Sequence, residues 1–216
     1  KLKGINAMYD IVTIGELLID FTESGLSPAG MRVFERNAGG AVANLAAAAA
    51  KCGAKAALIA KVGADMHGRF LKQALMDAGV DVRNVVETED VFTTLAFVAL
   101  APNGERTFSF ARNPGADTCI RLDEGYPSLL ASTRIFHTGS LSLTAEPARS
   151  TTYQCIDIAR AHGAVIAYDP NYRASLWNGE AEAVRFMRSL IATADVMKIS
   201  EEELPFLTGE TEPEAA

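Results

Sequence analysis

The sequence predicts an α/β fold in which a doubly wound, mostly parallel sheet carries a small lid of β-strands. Short apolar runs alternate with amphipathic helical patterns along most of the chain, which is typical of a parallel sheet covered by helices on both faces. Two extended runs, Thr93–Leu100 and Arg106–Ala111, interrupt this alternation. The turn between them contains Asn103-Gly104, the strongest short hairpin signal, and so predicts a separate β-element.

Composition limits the class of protein. The 216 residues are 49% hydrophobic, which suits one domain with a full core, and we expect that domain to cover residues 8–216. The net charge of −7 argues against nucleic acid or an anionic membrane as a partner. No apolar run is long enough to span a membrane. The three cysteines are unclustered and form neither a disulfide framework nor a zinc pattern, so we expect the protein to be located in the reducing cytoplasm.

The first strand-like run, Asp10–Leu18, predicts a buried parallel strand that ends in a Gly-Glu corner. Asp20 follows just beyond that strand. In doubly wound sheets, ligands bind at the carboxyl ends of the strands, which makes Asp20 a candidate binding residue. The alternative is that Asp20 is only a turn residue.

The stretch from Ala38 to Gly68 predicts a loop, a helix, a strand and the start of another helix. It opens with the pair Gly39-Gly40, whose backbone can adopt positive φ and approach a ligand closely. Asn44 falls in the first turn of the alanine-rich helix and can direct its amide over the glycines. The alternative is a glycine turn, a capped helix and a buried strand without a ligand.

Two segments are predicted to form the lid. Residues 21–37 are polar and alternate near Met31–Arg36, which indicates a peripheral hairpin, and residues 89–112 contain the hairpin described above. Met66–Ala78 is predicted to be a helix with an apolar stripe that belongs to the core.

The second half of the chain continues the strand-helix alternation. We expect strands at Arg134–His137, Ala164–Asp169 and Asp195–Ile199, and helices at Thr144–Ala161, Glu180–Ala192 and from Glu201. The last strand is apolar enough to be internal. His137 is interpreted as a satisfied strand residue and not as a base.

Several motifs recur in one order along the chain: GG followed by Asn, then RTFSFARNPGAD, FHTGSL, DPNYR and KISEEE. Together they resemble the ribokinase-like carbohydrate kinases, the phosphofructokinase-B family, and within it the fructokinase branch. The resemblance runs from Asp10 to about Thr208. It implies a ribokinase-like fold in which the strand clasp closes over a sugar.

The resemblance also implies which residues hold the sugar. An aspartate that accepts two sugar hydroxyls corresponds to Asp20, and a carboxylate can accept such paired bonds. The other implied sugar contacts are Gly39, Gly40, Asn44 and Arg173. For Arg173, the alternative is a salt bridge to Asp169. Arg112 is a further candidate contact, with a solvated arginine beside a turn as its alternative.

The segment from Lys198 to Glu203 resembles the family's Asn-x-x-Glu element, whose glutamate organises magnesium and phosphate through water. Lys198, Ser200 and Glu203 are therefore implied to serve the cofactors, ATP and Mg2+, although Ser200 stands where many members have Asn. A requirement for a monovalent cation is left open. An alternative role for Ser200 and Glu203 is a helix capping box of the form Ser-x-x-Glu, and this role is compatible with cofactor binding.

The family's base and anion hole come from a Gly-Ala-Gly-Asp element, which this sequence does not contain. Gly63-Ala64-Asp65 and Gly115-Ala116-Asp117 are partial matches in the wrong places. A P-loop motif is also absent. We therefore expect no catalytic base within these residues and place it beyond Ala216.

The predicted function is ATP-dependent phosphorylation of a sugar hydroxyl, and the resemblance favours D-fructose to fructose 6-phosphate. Ribose, 2-keto-3-deoxygluconate and aminoimidazole riboside are alternative substrates. A hypothesis of another class is a non-catalytic sugar-binding protein, if the chain ends at Ala216. A homodimer is left open. A stop codon or a continued reading frame would distinguish the fragment of an enzyme from the binding protein.

Overall fold

The computed structural model describes residues 8–100 and 106–210. Its strands, in chain order, are β1 (Tyr9–Ile14), β2 (Leu18–Leu26), β3 (Arg32–Gly39), β4 (Ala56–Gly63), β5 (Val85–Thr88), β6 (Leu95–Leu100), β7 (Arg106–Ala111), β8 (Thr133–Thr138), β9 (Val165–Tyr168) and β10 (Val196–Met197). The helices are α1 (Ala41–Lys51), α2 (Met66–Asp77), α3 (Pro127–Leu130), α4 (Ala148–Ala161), α5 (Glu180–Ile191) and α6 (Glu203–Thr208). In the described ranges, no helix is long and apolar enough to cross a bilayer.

Six strands form a parallel sheet in the order β10-β9-β8-β1-β4-β5. The order reverses at β1, which lies between β8 and β4, as in a doubly wound sheet. Every residue of β4 is buried, because helices cover both faces of the sheet. Two apolar clusters flank the sheet, one around α4 and α5 and the other around α1 and α2. The predicted α/β fold class is therefore confirmed.

The two segments predicted as a lid pair with each other in a second sheet of order β3-β2-β6-β7. β2 runs parallel to β6, and the other two pairs are antiparallel. The predicted hairpin of β6 and β7 is thus confirmed, while its Asn103-Gly104 turn lies outside the described residues.

The first predicted strand was too long at its carboxyl end. β1 ends at Ile14, and Leu18 already belongs to β2 of the four-stranded sheet. Gly15, with φ of +146°, turns the chain out of the parallel sheet between them. Asp20 therefore lies within a strand of the second sheet and not in a turn after the first.

In the second half of the chain, three elements differ from the sequence-based expectation by two residues or more at one end. α4 begins at Ala148, since Pro147 is its N-cap and a 310 turn occupies Leu141–Leu143 before it. The last predicted strand shrinks to β10, which pairs only with β9 among the described strands, and its Val196 is 58% exposed. α6 begins at Glu203, two residues later than predicted.

Helices α1 and α2 begin as the sequence predicts. In α1, the small residues Val42, Ala43 and Ala46 are buried and allow a close approach to the sheet. Asp65 caps α2 by accepting hydrogen bonds from the amides of His67 and Gly68, both at 2.8 Å. This cap explains the aspartate of the first partial Gly-Ala-Asp match.

Candidate functional site

A cavity of about 350 Å³ lies where the carboxyl ends of the parallel strands meet the four-stranded sheet. Among the residues predicted to bind a ligand, Asp20, Gly40, Asn44, Arg173 and Lys198 line it. They come from four separate stretches of the chain. The fold therefore brings together most of the residues that the sequence motifs singled out.

Asp20 projects from β2 into this cavity and is half-buried. Burial raises the pKa of its carboxyl group, while the nearby charge of Arg173 lowers it. Gly39 lies on the neighbouring strand β3, paired with Leu18, and a Cβ atom on it would overlap the Oδ2 atom of Asp20. The glycine is thus required by the position of the carboxylate, and Gly39 shapes the site although it does not line the cavity.

Gly40 is the N-cap of α1 and has φ of +108°, a conformation that side chains rarely adopt. A Cβ atom here would collide with the backbone carbonyl oxygen of Glu16. Asn44 follows in the first turn of α1 and is exposed at the cavity. The glycine pair therefore allows the start of α1 to approach the loop after β1 closely.

Glu16 also lines the cavity, although the sequence analysis noted only its Gly-Glu corner. It is 2% exposed, and its Oε1 accepts a hydrogen bond of 2.7 Å from the amide of Ala41. Burial raises the pKa of Glu16 to about 7, against the opposing effect of backbone amide donors that include Ala41. A glutamate directly after a strand-ending glycine was the signal available in the sequence.

Arg173 lies on the other side of the cavity, with its guanidinium 5.6 Å from the ring centre of Phe108. Its Nη1 donates to the carbonyl of Tyr172 at 2.8 Å. The alternative partner suggested for Arg173, Asp169, instead forms an ion pair of 3.0 Å with Lys198. The alternative of an Arg173–Asp169 salt bridge is therefore wrong for this structure.

Phe108 and Phe110 stack on each other at 6.2 Å and extend the cavity wall from β7. Both rings line the cavity, although no sequence motif assigned them to a site. The wall of the cavity thus combines carboxylates, cations and aromatic rings. Such a surface can hydrogen-bond a small polyhydroxyl ligand and cover its apolar faces.

Arg112 does not line this cavity. Its side chain is only 4% exposed, so the alternative of a solvated arginine is wrong. The guanidinium group pairs with Asp117 and donates to Thr144 Oγ1 at 2.8 Å and to the carbonyl of Leu141 at 3.0 Å. The structure accordingly does not bring Arg112 together with Asp20 and Arg173, and these bonds occupy its guanidinium group.

The carboxylate of Glu203 is buried. One oxygen accepts a bond of 2.7 Å from the amide of Tyr172, and the other accepts bonds of 2.9 Å from both the amide and the hydroxyl of Ser200. One half of the predicted capping box is therefore present, because Glu203 bonds back to the Ser200 amide. These bonds also hold the DPNYR corner against the start of α6.

The described residues do not form a metal site from protein side chains alone. They contain no cluster of three or more His, Cys, Asp or Glu side chains that could hold a metal. Both oxygens of Glu203 are already bonded to the protein. The contact of Glu203 with Mg2+ through water stays a prediction.

His137 is 8% exposed in β8. Burial lowers its pKa to about 4, although the charge of Asp169 acts in the opposite direction. The imidazole is thus neutral at pH 7.

Cys52, Cys119 and Cys155 are all free thiols.

A family model described as pfkB family carbohydrate kinase matches residues 8–216. Among curated proteins, Fructokinase-1 of Zea mays is 44% identical over 201 residues, which cover 92% of this chain and 62% of the maize protein. Fructokinase-2 of Solanum lycopersicum is 41% identical over 210 residues, covering 96% of this chain and 64% of the tomato protein. The chain thus spans less than two thirds of the length of these relatives.

Solved structures of fructokinases are also similar to this chain. Fructokinase from Xylella fastidiosa superimposes with a TM-score of 0.84 at 36% identity, covering 94% of this chain and 63% of that one. Fructokinase from Vibrio cholerae O395, in its form with fructose, ADP and calcium ion bound, gives a TM-score of 0.85 at 32% identity, covering 96% and 65%.

Proposed function

Because this chain belongs to the pfkB family of carbohydrate kinases, we propose that the complete protein is an ATP-dependent fructokinase that produces fructose 6-phosphate. The observation that carries this proposal is the convergence of Asp20, the glycine pair, Asn44 and Arg173 around one cavity. The fructokinase relatives and the Vibrio structure with fructose and ADP bound support the choice of sugar and phosphate donor.

In this proposal the carboxylate of Asp20 accepts hydrogen bonds from two neighbouring sugar hydroxyls. Its partly buried position strengthens such bonds, because less water competes for them. Arg173 keeps a positive charge near Asp20 and so favours the ionised carboxylate that these bonds need. Asn44 and the backbone of Gly39-Gly40 supply donors on the opposite side.

The four-stranded sheet acts as the lid. Phe108 and Phe110 come from β7, one of its two edge strands, and form one wall of the cavity. Movement of β7 towards the parallel sheet would exclude water from the sugar and strengthen the electrostatic interactions inside. Domain closure of this kind also places the hydroxyl that receives the phosphoryl group.

Phosphoryl transfer requires positioning, neutralisation of charge and a group that accepts the proton of the attacking hydroxyl. We assign Lys198, 72% exposed at the cavity, to the phosphates of ATP, and Ser200 and Glu203 to the structure of the adjoining corner. Mg2+, where bound, would neutralise phosphate charge, and Glu203 would reach it only through water. The proton acceptor stays a prediction: an aspartate beyond Ala216.

We also propose a reducing cytoplasmic location, because the three cysteines are free thiols. Homodimerisation through the four-stranded sheet is a further proposal. Its support is the partial exposure of the aromatic rings Phe34 and Phe97, at 40% and 39%.

The proposal is tested by expressing the complete reading frame and measuring ADP formation with ATP and a panel of sugars. Fructose should give the highest kcat/KM, ahead of ribose, 2-keto-3-deoxygluconate and aminoimidazole riboside. A higher value for one of the other three would replace fructose as the substrate. Sugar binding without any ADP formation would support the non-catalytic alternative. An Asp77→Asn variant, altered at an exposed position on α2, serves as the control for purification and folding.

A further inference from the structure

We infer that Glu16 is a positioning residue, which fixes the glycine corner of the cavity through its bond to Ala41. The inference rests on the proposed function for its effect on sugar binding, but not for its effect on the corner itself. Glu16 is separated from α1 by 25 positions in the chain, so the contact joins two different ligand-binding stretches.

The first observation concerns the start of α1. The amides in the first turn of a helix lack partners within the helix, and a side chain at the N-cap normally supplies one. Gly40 occupies the N-cap and has no side chain to do so. The Oε1 atom of Glu16 takes this place by accepting the bond from Ala41. A carboxylate is well suited to this position, because the helix dipole favours negative charge there.

The second observation concerns the backbone. The carbonyl of Glu16 packs against Gly40 so closely that a Cβ atom would not fit between them. At Gly15, the residue directly before Glu16, a Cβ atom would lie 3.0 Å from a methyl group of Val42. The loop after β1 therefore contacts the corner through both its main chain and the Glu16 side chain. Loss of the side-chain bond would leave the Gly40–Ala41 amides free to rotate away from the cavity.

The third observation is that the second carboxyl oxygen, Oε2, is buried without a hydrogen-bond partner in the described structure. Glu16 lines the cavity but is only 2% exposed, so we assign its effect on the ligand to the position of Ala41. The charged groups around Glu16 are Arg112 and Asp117 on one side, and Asp20, Asp169, Arg173 and Lys198 around the cavity. Ionisation of Glu16 thus changes how strongly its Oε1 accepts the hydrogen bond from Ala41, and these charged groups influence that ionisation.

The test compares Glu16→Ala and Glu16→Gln with the wild type in the protein expressed from the complete reading frame. Amide hydrogen exchange of Ala41, corrected for its intrinsic pH dependence, reports the corner without any sugar. Calorimetry with fructose reports binding. We expect Glu16→Ala to accelerate exchange at Ala41 and to weaken fructose binding, each by about tenfold, the loss of one such hydrogen bond. Glu16→Gln keeps an acceptor and should retain fructose affinity within about threefold of the wild type.

The pH dependence separates positioning from a general structural role. Between pH 6 and 8, protection of the Ala41 amide should rise in the wild type, since an ionised acceptor is stronger, and stay level in Glu16→Gln. An Ile156→Ala variant, altered in the cluster on the other side of the sheet, controls for lost stability and should leave Ala41 exchange unchanged.

Unaltered exchange at Ala41 in Glu16→Ala would overturn the inference, as would equal acceleration in Ile156→Ala. Faster exchange with unchanged fructose affinity would remove Glu16 from the support of the sugar site. If the wild type neither binds nor phosphorylates fructose, the proposed function fails, while the exchange result still decides the role of Glu16 at the corner.

Discussion

The guanidinium group of Arg112 lies 2.7 Å from the carboxylate of Asp117, and their side chains are only 4% and 1% exposed. The other oxygen of Asp117 accepts a hydrogen bond from the hydroxyl of Thr94. Arg112 follows the last residue of β7, and Thr94 precedes the first residue of β6. Asp117 therefore binds the residues at both open ends of the β6–β7 hairpin, Arg112 through the ion pair and Thr94 through the hydrogen bond.

Replacing Arg112 by Met should destabilise the protein by about 3–5 kcal/mol, because it leaves the charge of Asp117 buried without its partner. The double variant Arg112→Met/Asp117→Leu should lose clearly less free energy of unfolding than the sum of the losses in its two single variants. Urea unfolding of the three variants and the wild type measures this coupling.

The control is Arg121→Met, which breaks an exposed pair with Asp123 at 3.7 Å and should cost less than about 1 kcal/mol. Additive effects of the two substitutions in the double variant would show that Arg112 and Asp117 do not act as a pair.

Asp20→Asn should weaken fructose binding by about 1.5–3 kcal/mol, since it removes the charge from hydrogen bonds to the sugar hydroxyls. The substitution keeps the volume beside Gly39, so it should not disturb the strand pair β2–β3. Isothermal titration calorimetry on the complete protein gives the affinity, and Asp77→Asn provides the matched control. Wild-type affinity in Asp20→Asn would exclude this carboxylate from the sugar site.

The hairpin of β6 and β7 should exchange its amide hydrogens more slowly when fructose is bound. The physical reason is that closure over the cavity would bury β7, the outer strand that carries Phe108 and Phe110. Mass spectrometry of peptides from Thr93–Ala111, with and without saturating fructose, measures the change. Peptides from α4, which lies in the apolar cluster away from the cavity, should show little change. Equal exchange in both states of Thr93–Ala111 would contradict the lid assignment.

Local patterns were sufficient to predict much of the fold, because each depends on chemistry within a few residues. The alternation of strands and helices predicted the parallel sheet, and an apolar stripe predicted helix α2. The end of β1 was mispredicted because Leu17 and Leu18 continue its apolar run, although Gly15 turns the backbone out of the sheet. An apolar run cannot show at which residue a chain leaves one sheet and enters another.

Long-range contacts decided the parts of the site that the sequence could not predict. Nothing in RNPGAD indicates that Arg112 is buried against Asp117, because the environment of both side chains is set by residues 23 and 32 positions away. Asp169 pairs with Lys198 and not with Arg173, because β9 and β10 lie side by side and bring Lys198 next to it. Glu16 was overlooked because its partner lies on α1.

The effect of pH on stability should differ between the wild type and Glu16→Gln. In the folded protein the pKa of Glu16 is raised to about 7 from an ordinary value of 4.5, so the folded state binds this proton more tightly than the unfolded state. Its contribution to stability is therefore greatest below pH 4.5, falls as pH rises to 7, and is level above that. A shift of this size corresponds to about 3 kcal/mol.

Glutamine retains an oxygen that can accept the bond from Ala41 but carries no charge to bury. Glu16→Gln should therefore gain stability relative to the wild type as pH is raised from 4.5 to 8, by up to about 3 kcal/mol. Thermal unfolding of both proteins across this range gives the difference, and every other titrating group is shared and cancels. A stability difference that stays constant from pH 4.5 to 8 would show that Glu16 ionises in the folded protein as it does in the unfolded chain.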